Sequence, residues 1–216
     1  MHSRIVVAID GPSGSGKSSV ARAVARRFDF AYLDTGAMYR AFAWWRLQGH
    51  AAVHDCPLDI STNPEVASVV VGGVDVTDAI RGPEVTAEVS RVAADPSVRA
   101  EAVRRQRDII NTATRGIVVE GRDITTVVAP DAAIRIFLTA DLAAREARRA
   151  AEFAHDAQTA EAVAAAVATR DHIDSTRTHS PLQKVDGVTE IDATHRTLDD
   201  VIALVTDMVT EAQRHD

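Results

Sequence analysis

The chain has 216 residues and a net charge of −7, with 46% of its residues apolar and 25% charged. This composition predicts one globular domain with a substantial core. The net negative charge of the chain would repel nucleic acid, which argues against binding it through the electrostatic field of the whole molecule. No transmembrane span is predicted, and the apolar run near the N-terminus is too short for a signal peptide. We therefore expect a cytoplasmic protein, and the single cysteine, Cys56, excludes an internal disulfide.

The first 50 residues alternate between strand and helix patterns. An apolar, β-branched run at 4–9 predicts a buried strand, and residues 17–28 predict a helix with one apolar face. A second strand is predicted at 30–34, followed by a second helix that ends near Gly49. This alternation predicts an α/β fold with a parallel sheet and crossover helices.

The remainder of the chain continues the pattern after a less regular stretch. Residues 51–94 have mixed periodicity, with Gly72 and Gly73 predicted to form a tight turn. Asp95 and Pro96 are typical of the start of a helix. Further predicted elements are buried strands at 117–120 and 132–139, Ala-rich helices at 141–171, a last strand at 188–192, and an amphipathic helix that begins at Leu198.

A glycine-rich segment between the first strand and the first helix matches the pattern G-x-x-x-x-G-K-[ST]. Glycines at this spacing let backbone N–H groups converge on phosphate oxygens, and the following helix adds its dipole. Lys17 is predicted to reach the β- and γ-phosphates of ATP, and the Ser18 hydroxyl to ligate Mg²⁺. The predicted ATP-binding residues are Gly11, Pro12, Ser13, Gly14, Ser15, Gly16, Lys17, Ser18 and Ser19.

The class of phosphate-loop protein follows from what surrounds this segment. A GTPase would be expected to carry N-K-x-D, which the sequence lacks, and a motor usually needs more chain. Polar or glycine-rich sequences, "DGPSGSGKS", "DTGAMYR" and "EGRD", follow three predicted strands, so they meet at one rim of the sheet. Arginines that could join them to bridge phosphoryl oxygens are Arg40, Arg99, Arg122, Arg170 and Arg177. This combination favours a small-molecule kinase.

The sequence resembles the bacterial cytidylate kinases in segments that span most of the chain. The matching segments, in order, are "IDGPSGSGKSS", "YLDTGAMYRA", "DVTDAIR", "VSRVAADPSVR", "VVEGRDITTVV" and "RDHIDSTR". The resemblance implies a P-loop kinase fold, with a five-stranded parallel sheet flanked by helices, an inserted acceptor-binding region and a helical lid. It also implies transfer of a phosphoryl group from ATP to CMP or dCMP, with Mg²⁺.

The resemblance further implies roles for individual residues. Thr35 and Arg40 match contacts to the acceptor phosphate, and Asp174 matches the acid that binds the ribose. Cytosine would be read by Ser90, Arg99 and Asp123. Arg122 and Arg177 match phosphate ligands, and Arg170 matches a lid arginine near the transferring phosphoryl group. The expected catalytic residues are Lys17, Arg122, Arg170 and Arg177.

We expect one P-loop kinase domain, whose core spans about 1–50, 113–147 and 173–216, with an acceptor-binding insertion at about 51–112 and a lid at about 148–172. The chain departs from the family pattern at Thr125, where glycine is usual, and at 64–76, which is shorter than usual. The expected oligomeric state is a monomer.

Two alternatives remain open on the sequence. The acceptor could be UMP, AMP or a non-nucleotide alcohol, which turnover with a panel of acceptors would decide. The chain could instead be a nucleotide-binding regulatory or RNA-associated protein, although the acidic charge and the absent N-K-x-D argue against this class.

Overall fold

The computed structural model describes residues 4–151 and 157–215. In chain order the elements are β1 (Ile5–Asp10), α1 (Lys17–Phe28), β2 (Ala31–Asp34), α2 (Thr35–Leu47), β3 (Leu58–Ile60), β4 (Val69–Val71), β5 (Val74–Asp75), α3 (Pro83–Ala94), α4 (Pro96–Thr112), β6 (Gly116–Gly121), β7 (Ile134–Thr139), α5 (Leu142–Ala151), α6 (Ala157–Thr176), β8 (Thr189–Asp192) and α7 (Leu198–Arg214). A short 3₁₀ turn spans Ala79–Arg81, and a π-helical turn spans Ile124–Val128.

The main sheet confirms the predicted α/β class. Its five strands are parallel and lie in the order β2-β6-β1-β7-β8, so the strand that leads into the phosphate loop is central. Nearly every residue of β1 and β6 is buried, without alternation, because helices cover both faces of the sheet. Apolar residues of α1 and α7 pack on one face, while α4 and the π-helical turn pack on the other.

The region that the sequence left irregular forms a second, smaller core. The strands β3, β4 and β5 make a small antiparallel sheet, and Gly72 and Gly73 form the predicted turn between β4 and β5 with positive φ. The helix α3, which the sequence did not predict, packs with α2 and α4 around buried Phe42 and Ile80. Strands of two or three residues are too short to give a periodic signal, which explains why β3, β4 and β5 were not predicted.

The helix predicted from Asp95 begins there, because the Asp95 carboxylate accepts hydrogen bonds from the Ser97 N–H (2.9 Å) and the Val98 N–H (3.5 Å). The predicted Ala-rich helices correspond to α5 and α6, and the part of the predicted lid at 152–156 lies outside the described residues. Within the described ranges, no helix combines the length and apolar character needed to cross a bilayer.

Candidate active site

The phosphate loop joins β1 to α1 and takes the backbone shape that its glycines allow. Gly14 and Gly16 have φ of +76° and +94°, a region that favours glycine. A Cβ atom at Gly11 would meet the Leu138 carbonyl oxygen at 2.0 Å, so this glycine is required for the close approach to β7. The loop ends at Lys17, where α1 starts without a side-chain cap, so its first N–H groups face the site.

Lys17, Ser18 and Glu120 converge beside the loop. The Lys17 ammonium donates to the Pro12 carbonyl oxygen (2.8 Å), and burial together with the Arg122 charge lowers the pKa of Lys17 to about 7. The Ser18 hydroxyl donates to the Glu120 carboxylate (2.5 Å), and Tyr32 donates to the same oxygen (3.2 Å). Burial and the nearby Asp34 charge raise the pKa of Glu120. Sequence reasoning assigned no role to Glu120, although an acid near the end of an otherwise apolar strand was an available signal.

The first half of the phosphate loop is held by α5 and α6, through Arg145, which precedes the expected lid at 148–172, and Asp171, which lies within it. The Ser13 N–H donates to the Asp171 carboxylate (2.9 Å), and the Ser13 carbonyl oxygen accepts from Arg145 (3.1 Å). Arg145 also pairs with Asp171, and its Nε donates to the Ala140 carbonyl oxygen (2.8 Å). A Cβ atom at Gly14 would lie 2.7 Å from the Arg145 carbonyl oxygen. The loop therefore packs against α5 and α6 through backbone as well as side chains.

At the far end of the cleft, Arg99 and Asp123 form a buried ion pair, with about 5% of each side chain exposed. The Arg99 guanidinium also donates to the Ala93 carbonyl oxygen (2.9 Å) and lies 5.3 Å from the centre of the Tyr39 ring. Its Nε has no hydrogen-bond partner within the described chain. Ser90, on α3, lines the same end of the cleft. The three residues predicted to read a base are therefore close together, and Tyr39 is an addition that the sequence did not indicate.

A second charged group occupies the middle of the cleft. Asp174 lies between two arginines, 2.8 Å from Arg122 Nε and 3.5 Å from Arg177 Nη1, and these cations lower the pKa of its carboxyl despite burial. Arg177 Nη2 is buried and has no partner within the described residues. Arg170, one residue before Asp171 on α6, lines the cleft, and burial together with the Arg122 charge lowers the pKa of its guanidinium.

Arg40 and Thr35 lie on the wall formed by α2. Arg40 donates to the Ile80 carbonyl oxygen and to the Thr86 hydroxyl, both at 3.0 Å, so it is held by the 3₁₀ turn and α3. The Thr35 hydroxyl donates to the Glu120 carbonyl oxygen (2.7 Å), which ties the start of α2 to the end of β6. Arg81 also lines this wall, beside Asp34 (3.8 Å), and was not predicted.

One continuous cleft brings most of the predicted residues together. Those that line it are Ser13, Gly14, Lys17, Ser18, Thr35, Arg40, Ser90, Arg99, Arg122, Asp123, Arg170, Asp174 and Arg177. Ser15, Gly16 and Ser19 line an adjoining groove together with Arg196 and Thr197, while Gly11 and Pro12 are buried at the start of the loop and line neither the cleft nor the groove. Among the described residues, eight cationic side chains and four carboxylates line the cleft, so its charge opposes that of the whole chain.

The departure at Thr125 does not strain the loop after β6. Within the described ranges, positive φ at a residue with a side chain occurs only at Asp29 and Ser180, so Thr125 does not have the positive φ that would favour glycine. Its side chain is fully buried.

Comparisons with known proteins agree over nearly the whole chain. The family model described as "Cytidylate kinase" matches residues 7–211. Proteins named cytidylate kinase from Streptomyces avermitilis and Rhodococcus jostii are 45% and 46% identical to this chain; the matches cover 96% and 97% of it and 93% and 96% of the relatives. A solved structure of an uncharacterized protein from Eubacterium ventriosum shares the fold, with a TM-score of 0.50 at 15% identity, covering 99% of this chain and all of that one.

Proposed function

The chain belongs to the cytidylate kinase family, and we propose that it transfers the γ-phosphoryl group of ATP reversibly to CMP and dCMP, giving CDP and dCDP. The main support for CMP as the acceptor is the buried ion pair of Arg99 and Asp123. This pair lies at the end of the cleft opposite the phosphate loop. A carboxylate there accepts a hydrogen bond from the exocyclic amino group of cytosine, and a guanidinium donates to its ring acceptors. Uracil presents an oxygen in place of the amino group, and that oxygen would face the carboxylate with no hydrogen between them.

At the donor end, the backbone of Gly11–Ser19 and the Lys17 ammonium hold the ATP phosphates. Lys17 regains a favourable charged state when phosphate oxygens approach, since its pKa is lowered mainly by burial. The donor set fits Mg²⁺, because the Ser18 hydroxyl and the Glu120 carboxylate are hard oxygen ligands only 2.5 Å apart. We propose Ser18 as a direct ligand and Glu120 as its orienting partner; bound Mg²⁺ would offset charge on the phosphate oxygens.

At the acceptor end, Arg40, Arg122 and Arg177 hold the phosphate of CMP, with Thr35 at the same wall. Asp174 accepts from the ribose hydroxyls, and Ser90 joins Arg99 and Asp123 at the base. Buried donors without partners, Arg99 Nε and Arg177 Nη2, support this proposal because a ligand would satisfy them.

Positioning and charge stabilisation account for the chemistry. The attacking group is an already ionised phosphate, so no general base is required. Lys17, Arg122, Arg170 and Arg177 surround the place where charge spreads over the transferred oxygens, and planar guanidinium groups can each bridge two of them. Residues 148–172 form a lid whose closure excludes water and completes this set.

The same proposal covers the organisation of the chain. The core comprises about 1–50, 113–147 and 173–216, and the acceptor-binding insertion comprises about 51–112, residues of which pack with α2 in the second apolar core. We propose that the enzyme acts as a monomer in the cytoplasm.

The test is the rate of ADP formation from Mg-ATP with CMP, dCMP, UMP, AMP, dTMP or no acceptor. Strong turnover only with CMP and dCMP is expected, and Asp123→Ala should abolish most of it, while Asp131→Ala on the exposed loop before β7 serves as the matched control. Near-normal CMP turnover by Asp123→Ala would refute the base-reading role. Preference for UMP or AMP would keep the kinase and overturn the assigned acceptor.

A further inference from the structure

The π-helical turn that follows Asp123 is capped in an unusual way. Asp123 is the residue directly before the turn, and its carbonyl oxygen accepts from the N–H groups of Val127 (2.8 Å) and Val128 (3.2 Å). An aspartate at such a position ordinarily turns its carboxylate back to accept from the next N–H groups. Here the carboxylate makes no such bond and instead pairs with Arg99 in the cleft.

Asp10 takes over the capping. It is the last residue of β1, directly before the phosphate loop, and its carboxylate accepts from the Ile124 N–H (2.8 Å) and the Thr125 N–H (2.7 Å). The Thr125 hydroxyl adds a third hydrogen bond to the same carboxylate (2.7 Å). Asp10 and Thr125 are both fully buried. The donors at the start of the turn are thus satisfied by a residue from a different strand.

We propose that Asp10 and Thr125 are positioning residues for base selection: by capping the turn in place of Asp123, they leave the Asp123 carboxylate facing the base. The two carboxylates would otherwise compete for the Thr125 N–H, which a capping Asp123 could also reach. The proposal rests on the base-reading role of Asp123 proposed above. In this proposal the end of β1 has a second function besides leading into the phosphate loop: Asp10 holds the turn that carries Asp123.

The hydrogen bond from the Thr125 hydroxyl to Asp10 can be removed with little change in side-chain shape. Thr125→Val keeps the shape of the side chain but leaves Asp10 with two donors, so Asp10 holds the turn less firmly and Asp123 gains access to its N–H groups. The loss of one hydrogen bond corresponds to about a three- to tenfold effect. We expect the ratio of kcat/KM for CMP to that for UMP to fall by about this factor, with KM for ATP changed less than about twofold.

The experiment compares Thr125→Val, Thr125→Ser and Thr206→Val. Thr125→Ser retains the hydroxyl and should restore the ratio. Thr206 in α7 is a matched control, because it is also buried and its hydroxyl has no partner within the described residues. Each variant is measured for kcat and KM with both acceptors and for its thermal midpoint. A lower midpoint for Thr125→Val with an unchanged CMP to UMP ratio would overturn the proposal.

Asp10→Asn gives a second route if Thr125→Val does not fold. An amide in place of the carboxylate sets an NH₂ donor against one of the N–H groups that Asp10 binds, so the same loss of CMP selectivity is expected, and a crystal structure should show the Asp123 carboxylate turned toward the Thr125 N–H. An Asp123 side chain still paired with Arg99 in that structure would overturn the proposal. Failure of the proposed function would look different, because the unmodified enzyme itself would then not prefer CMP to UMP.

Discussion

The two ends of the cleft are proposed to bind their ligands by different means. The proposed phosphate site is nine consecutive residues whose backbone would supply most of the donors, with Lys17 as the added charge. The base-reading end has no contiguous sequence: Ser90 comes from α3, Arg99 from α4 and Asp123 from the turn after β6. A backbone site recognises a group that every nucleotide carries, whereas a side-chain site can distinguish one nucleotide from another.

The charges at the two ends also differ before any ligand arrives. Lys17 faces the cleft with a pKa lowered to about 7, and its hydrogen bond is to a carbonyl oxygen. Arg99 and Asp123 are already paired with each other, so CMP must enter between or beside them rather than meet free charges. Breaking a buried pair by removing one partner is strongly destabilising. The base-reading end should therefore be less tolerant of substitution than its small size suggests.

Substitution at the phosphate end should give the largest effect. Lys17→Met removes the charge that reaches the transferred phosphoryl group, and kcat should fall by at least about 10²- to 10³-fold. Lys184→Met is the matched control, since Lys184 is the only other lysine and pairs with Glu190 in an exposed position. Steady-state kinetics checks both. A Lys17→Met enzyme within tenfold of normal kcat would contradict the assigned role.

Substitution at the base-reading end should instead affect one substrate. Arg99→Met leaves Asp123 buried without its partner, and kcat/KM for CMP should fall by about 10- to 100-fold while KM for ATP stays nearly constant. Arg104→Met, on the exposed face of the same helix, controls for loss of an arginine. A rise in KM for ATP in parallel with KM for CMP would contradict the prediction, because it would show that Arg99 also affects the binding of ATP.

Asp174 lies between the two ends and should give a smaller effect. In Asp174→Asn the sugar loses a charged acceptor, so kcat/KM for CMP should fall about three- to tenfold more than that for dCMP. The comparison of the two acceptors matters because Arg122 and Arg177 also lose a partner, which affects both equally. Asp207→Asn in α7 serves as a control. Equal losses for CMP and dCMP would remove the proposed ribose contact.

The smallest effect is expected from substituting Asp95, which stabilises the start of the helix that carries Arg99. Asp95 caps α4 and pairs with Arg46 (2.8 Å), and these bonds lower the pKa of its carboxyl. A lowered pKa stabilises the fold at pH above the ordinary carboxyl value near 4 and loses that contribution as the pH falls. Asp95→Ala should therefore lower the free energy of unfolding by about 1 kcal/mol at pH 7. The difference from the unmodified chain should shrink toward pH 2, as denaturant titrations at both pH values would show; a constant difference would contradict it.

The same contrast explains how far the sequence could predict the structure. The phosphate loop was predictable residue by residue, because its pattern is local and each glycine has a geometric reason. Arg99 and Asp123 were already placed near the site by their positions, but the assignment of Ser90, Arg99 and Asp123 to the base came only from the family resemblance, since nothing in their spacing indicates that α3, α4 and β6 meet. Glu120 and the capping by Asp10 were missed because each depends on contacts between residues that are far apart along the chain.

The charge of the cleft has a consequence for the rate at which substrates arrive. The chain carries a net charge of −7, yet eight cationic side chains among the described residues line the cleft. A mononucleotide small enough to enter meets a focused attractive field, whereas a long polyanion must also lie across a repelling outer surface. Association of CMP should therefore slow as ionic strength rises, since the Debye length shortens to about 8 Å at physiological salt. We therefore expect the charge distribution to favour the entry of small anions over long polyanions, before the base is recognised.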